Sequence, residues 1–130
     1  MSRGNDRRPA SSTSELEVCQ KVEEMIEYAY CAVKHFPKSE RHVTSQEIRA
    51  TAWRLLRLVV ICNKRYHKKT TMQELDAELE LLRRQVHLAM VLGFLPFKQY
   101  AHWARLNDEI GRLIGGWLRA QRNTQQGGGR

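Results

Sequence analysis

TMQELDAELELLRRQVHLAMVLGFLPF, Thr71 to Phe97, sets Leu75, Leu79, Leu82, Val86 and Ala89 at steps of three and four. That is the one-face repeat of an amphipathic helix and not the alternation of a strand. Glu74, Asp76, Glu78 and Glu80 come early and Arg83, Arg84 and His87 late, an order that matches a helix dipole at both ends. Gly93 to Pro96 breaks the pattern, so the chain turns there and a new segment begins near Phe97. A connection this short makes the two flanking helices antiparallel neighbours.

Outward from this pair the same period recurs. Upstream, Ile48, Ala52, Leu55, Val59, Cys62 and Tyr66 form one stripe, opening at Thr44 or Ser45 and ending in HKKTT. Before it, Cys19, Val22, Ile26, Ala29, Val33 and Phe36 form another, with Ser14 and Glu17 as a capping box and Pro37 as the stop. Downstream, Trp103, Leu106, Ile110, Leu113, Ile114 and Trp117 continue to about Arg122. Four helical segments with short loops and no strand predict an all-α, up-down-up-down four-helix bundle over residues 14–122. Residues 1–13 and 123–130 are polar or Gly-rich and predict disordered tails.

The 130 residues, 42% of them hydrophobic, suffice for a single core. Lys and Arg number 22 against 14 Asp and Glu, a net charge of +8. That balance favours a polyanionic partner such as nucleic acid. The apolar runs fall short of the roughly 20 residues that cross a bilayer, and no secretory apolar region follows the N-terminal arginines. A soluble protein is expected. Cys19, Cys31 and Cys62 are odd in number and widely spaced, and read as reduced core thiols of a cytoplasmic protein.

No constellation for catalysis is present. The chain lacks HExxH, CxxC, a Gly-rich phosphate loop and a nucleophile elbow. Glu-x-x-His pairs, the mark of a di-iron bundle, are also missing. His35, His42, His67, His87 and His102 are scattered and read as surface or boundary residues. No enzyme activity, cofactor or metal is expected.

The cations are better placed. Drawn on one helix, Arg54, Arg57, Lys64, Arg65 and Lys68 share an arc of about 100° opposite the second apolar stripe, with no acid among them, and His67 and Lys69 continue it. This predicts a polyanion-binding face. Arg105, Arg112 and Arg119 repeat by sevens on the fourth helix beside Asp108 and Glu109, where a solvated face competes equally with function. Trp53, Tyr66 and Tyr100 are the aromatics placed near the surface, too few to establish a base-stacking platform. Ala104, Gly111 and Gly115 line one strip of the fourth helix. Glycine lowers helix stability by about 1 kcal/mol against alanine, so the strip predicts close helix approach, within the bundle or at a subunit interface. Ile61 and Trp53, inside and beside the basic arc, predict an apolar contact outside the core.

FPKSER (Phe36 to Arg41), LGFLPFKQY (Leu92 to Tyr100) and NDEIGRLIGGWLR (Asn107 to Arg119) resemble, in order and spacing, the accessory variability determinant proteins of diversity-generating retroelements, across about Glu15 to Arg122. Ribosomal-RNA intervening-sequence bundle proteins share the fold and the Phe-Pro-Lys turn, and a freestanding nucleic-acid-binding bundle of that type is the alternative. The resemblance implies a bacterial or phage-encoded, non-enzymatic homopentamer with a central channel. It implies binding to the reverse transcriptase and to template-repeat RNA or its cDNA, and a need for the protein in adenine-directed mutagenic retrohoming. Helix-borne cations carry such contacts, and the matching residues are Arg54, Arg57, Lys64, Arg65, Lys68, Arg83, Arg84, Arg105 and Arg112.

Overall fold

The computed structural model describes residues 10–128, with side chains from 14 to 123. Four α-helices, α1 (Ala10–Ala32), α2 (Thr44–Lys64), α3 (Lys69–Val91) and α4 (Phe97–Gly128), are accompanied by short 3-10 turns at Val33–His35 and Lys38–Glu40. Among the described residues there is no strand. Each helix packs beside its neighbours, with α1 against α2 and α4, and α3 against α2 and α4.

The core is the set of periodic positions. Val22, Ile26 and Ala29 of α1, Leu55 and Val59 of α2, Leu75, Leu79 and Leu82 of α3, and Trp103, Ile110 and Trp117 of α4 are buried together. Each buried aliphatic side chain contributes about 1.5–3 kcal/mol over an exposed one, so the apolar faces and not intrinsic propensity hold these helices in place. The α3–α4 turn needs Gly93, whose φ of +83° lies in the left-handed region. Its backbone is closed by Gly93 N donating to Met90 O and Phe94 N to Ala89 O.

Several boundaries differ from the sequence reading. α1 begins at Ala10, so Ser14 is inside the helix and caps nothing. α4 runs on to Gly128 instead of ending at Arg122. The expected tails therefore begin as helix, and their outer parts, residues 1–9 and 129–130, lie outside the described residues. α2 is preceded by Val43, with no side-chain cap. Instead the Thr44 hydroxyl donates to Glu40 Oε1 at 2.6 Å and ties the helix start to the preceding turn. α3 begins at Lys69, a little earlier than expected, and has neither acid in its first turn nor base in its last. The expected match of its charges to the dipole ends is therefore off by a turn at each end. Tyr66 is no part of the core: α2 stops at Lys64 and the ring is 88% exposed. Of the three thiols only Cys62 is buried, while Cys19 is half-buried and Cys31 exposed. Burial pushes the Cys62 thiol up to about 11.

Candidate nucleic-acid interface

Arg57 and Lys64 stand on the outer face of α2, exposed, and no acid among the described residues forms an ion pair with either. Arg54 is on the same helix but turned toward α3. Its Nε donates to Glu78 Oε2 at 2.8 Å and its Nη2 to Thr51 Oγ1 at 3.0 Å. The α2 arc is free of acid in sequence, but α3 supplies one. Helix-wheel reasoning on a single helix could not register that pair, because it joins residues of two different stripes.

The arc is also shorter than expected. Arg65 is the C-cap of α2, with φ −89° and ψ 146°, so the chain leaves the helix there. The Arg65 side chain stays at the surface and donates Nη1 to Thr71 Oγ1 at 2.9 Å. Lys68 points inward. Its ammonium donates to Cys62 O at 2.7 Å, to Asn63 O at 3.3 Å and to Arg65 O, and the residue is only 9% exposed. The last carbonyls of a helix lack intrahelical partners and carry its negative dipole end. Lys68 satisfies them from beyond the helix, which removes it from the set of cations that face solvent. The Glu15 carboxyl lies within electrostatic reach of Lys68; burial nonetheless raises it above the usual range, and Lys68 opposes that shift.

The remaining cations are mostly paired. On α3, Arg84 Nε bonds Glu80 Oε2 at 3.0 Å, and Arg83 lies 3.7 Å from Glu80 and 3.4 Å from Asp108 on α4. On α4, Arg105 Nη2 sits 3.1 Å from His102 Nδ1. Arg112 is exposed and in no ion pair with a described acid. A cation bridge missed in the sequence joins the other pair of helices: Lys21 Nζ contacts Glu24 at 2.9 Å and Glu109 at 3.0 Å. Hydrogen bonding to the two carboxylates raises the Lys21 ammonium, and the Lys21 bond holds the Glu109 carboxyl below the usual range.

The small-residue strip divides in two. A methyl at Gly111 would lie 2.6 Å from Arg83 Nη2 and 3.6 Å from Leu79 Cδ2, so the close approach is to a guanidinium and not to another backbone. At Gly115 the nearest atom is Arg119 Nη1 at 3.7 Å, and the site is otherwise open. Gly111 and Gly115 border a groove of about 790 Å³ between the start of α3 and the end of α4, with Met72, Ile114 and Leu118 on its walls. Ala104 is half-buried on the same helix. Trp53 is half-exposed on α2, with its indole N–H donated to the Tyr30 hydroxyl at 2.9 Å. Ile61 is only partly exposed.

No cluster of three potential metal ligands occurs among the described residues, and no described helix is long and apolar enough to cross a membrane. A family model described as bAvd-like matches residues 16–121. The chain belongs to that family. The match covers the bundle from the first turns of α1 to the late turns of α4 and identifies an accessory-variability-determinant type of protein. No curated protein matches the chain at the significance required.

Within this bAvd-like chain the three characteristic stretches serve packing. Phe36 of FPKSER is buried and lies 6.0 Å, centroid to centroid, from Phe94 of LGFLPFKQY. Arg41 locks that turn by donating to Phe36 O and Lys34 O, each at 3.2 Å. NDEIGRLIGGWLR supplies the buried Ile110, Ile114 and Trp117, the Asp108 and Glu109 ion pairs and the Gly111 seat for Arg83. It also supplies Asn107, which is 1% exposed with neither amide atom bonded to another protein atom.

Proposed function

We propose that this protein is the non-enzymatic accessory subunit of a diversity-generating retroelement. It binds the element's reverse transcriptase and the template RNA or its cDNA, and is required for adenine-directed mutagenic retrohoming. The observation that carries this reading is the family match across the four helices. The charge distribution supports it: Arg57, Lys64 and Arg112 face solvent on two helices of a chain with net charge +8, and such cations add affinity for a phosphate backbone without reading bases. The protein acts without cofactor or metal, inside the bacterial cell and away from the membrane, and assembles as a homopentamer. The open position at Gly115 on α4 is the proposed contact with a second copy.

The test is reconstitution with the reverse transcriptase encoded beside it and the template RNA. Long cDNA carrying substitutions at template adenines should form only when both proteins are present. Native mass spectrometry should give one species near five times the 15.2 kDa chain mass. Mutagenic cDNA synthesis at full rate by the reverse transcriptase alone would refute the accessory role. Tight binding of structured RNA with no affinity for the polymerase would favour the freestanding bundle.

A further inference from the structure

The α2–α3 connection, Arg65 to Lys68, carries a feature that phosphate binding alone does not need. Tyr66 is 88% exposed, the most solvent-accessible large apolar side chain among the described residues, and it stands in a segment of unusual charge. From Ile48 to Gln73 the chain contains no acid, and the exposed Lys64, Arg65 and Lys69 flank the tyrosine in sequence.

The backbone under that ring is held on both sides. Lys68 pins the carbonyls of Cys62, Asn63 and Arg65, and Arg65 reaches across to Thr71 on α3. The His67 ring meets Tyr66 edge-on with centroids 4.7 Å apart. An aromatic side chain carried on a pinned backbone loses less entropy on stacking than one on a free loop. Along α2, Arg57 precedes Lys64 by two turns, about 10.5 Å, the length of about three stacked nucleotides. Past the tyrosine, Lys69 opens α3 with its side chain exposed.

We propose that this connection is a site for unpaired nucleic acid, in which one base stacks on Tyr66 while Lys64 and Lys69 hold the phosphates on either side. The site rests on the nucleic-acid part of the function proposed above and adds a preference to it. Bases inside a duplex cannot reach the ring, so the site selects single strands.

The test uses the full chain and fluorescence anisotropy with a fluorescein-labelled twelve-nucleotide oligouridine and an RNA duplex of equal length. Tyr66→Ala should weaken single-strand binding about 5- to 140-fold, the range carried by one stacked base, with the duplex affinity unchanged. Tyr66→Phe should bind as wild type. Lys64→Gln with Lys69→Gln should flatten the salt dependence of single-strand binding by about 0.7 for each phosphate no longer neutralised, whereas Tyr66→Ala should leave that slope alone. Photocrosslinking to an oligonucleotide carrying 5-iodouracil should place the adduct on Tyr66. The inference is overturned if Tyr66→Ala binds the single strand as tightly as wild type, if the adduct maps elsewhere, or if the variant loses only its affinity for a protein partner. If the wild-type chain binds neither oligonucleotide, the nucleic-acid reading above falls as well.

Discussion

Replacing Lys68 by methionine separates two roles for one cation, phosphate ligand and helix cap. The methionine stem can still fill the space of the buried lysine chain, so the change removes chiefly the ammonium and its bonds to Cys62 O, Asn63 O and Arg65 O. A hydrogen bond to a charged group contributes about 1.5–3 kcal/mol, and a cation at a helix C-terminus about 0.3–1 kcal/mol, rising to about 2 when partly buried. These overlap, and the ammonium's own desolvation offsets part of them, which leaves a net loss of about 2–3 kcal/mol. For a domain of this size each kcal/mol moves the melting temperature by about 3–5 °C, so circular dichroism should show a fall of about 6–15 °C. A phosphate ligand behaves differently. Its removal leaves the melting temperature in place and lowers the salt slope of single-strand binding by about 0.7. Lys68→Met with wild-type stability and a reduced slope would refute the capping assignment.

Four other outcomes follow from specific contacts. Gly115→Ala, like Gly116→Ala, gains helix propensity with room for the methyl and should raise the melting temperature of an isolated chain by about 1 kcal/mol's worth; loss of the oligomer in Gly115→Ala alone would show that a second copy covers that position. Gly111→Ala must move the Arg83 guanidinium off its 3.4 Å contact with Asp108, an ion pair worth about 0–1 kcal/mol, so gain and loss should nearly cancel in urea denaturation. Because Lys21 holds the Glu109 carboxyl below its ordinary value of 4.5, that stabilisation is present above pH 4.5 and is lost as pH falls through the depressed value; Lys21→Met should flatten the acid limb of the urea midpoint against pH. Iodoacetamide at neutral pH should label the exposed Cys31 first and Cys62, buried and raised to about 11, only after unfolding, with peptide mass mapping as the readout.

The periodic faces were legible in the sequence because burial is decided helix by helix: a stripe at steps of three and four has one apolar side whatever its partner. The stripes of α2 and α3 are buried as read, apart from Tyr66, and the α3–α4 turn falls at Gly93 as its glycine requires. The charges were harder to read, because a cation's availability depends on the neighbouring helix. Arg54 shares an arc with Arg57, yet only Arg54 lies across from Glu78, and nothing in the α2 sequence separates them. Lys68 was misplaced for a related reason. Extending the 3.6-residue repeat past Lys64 carried it onto the outer face, whereas the chain leaves the helix at Arg65 and turns the ammonium back to the α2 carbonyls. The same break throws Tyr66 out of the apolar stripe and into water. One helix end, closed by a lysine from beyond it, thus accounts for both errors and for the candidate single-strand site. A helix that ends without glycine or proline leaves its last carbonyls to be satisfied by whatever follows, and here the lysine that does so also fixes the loop on which the tyrosine stands.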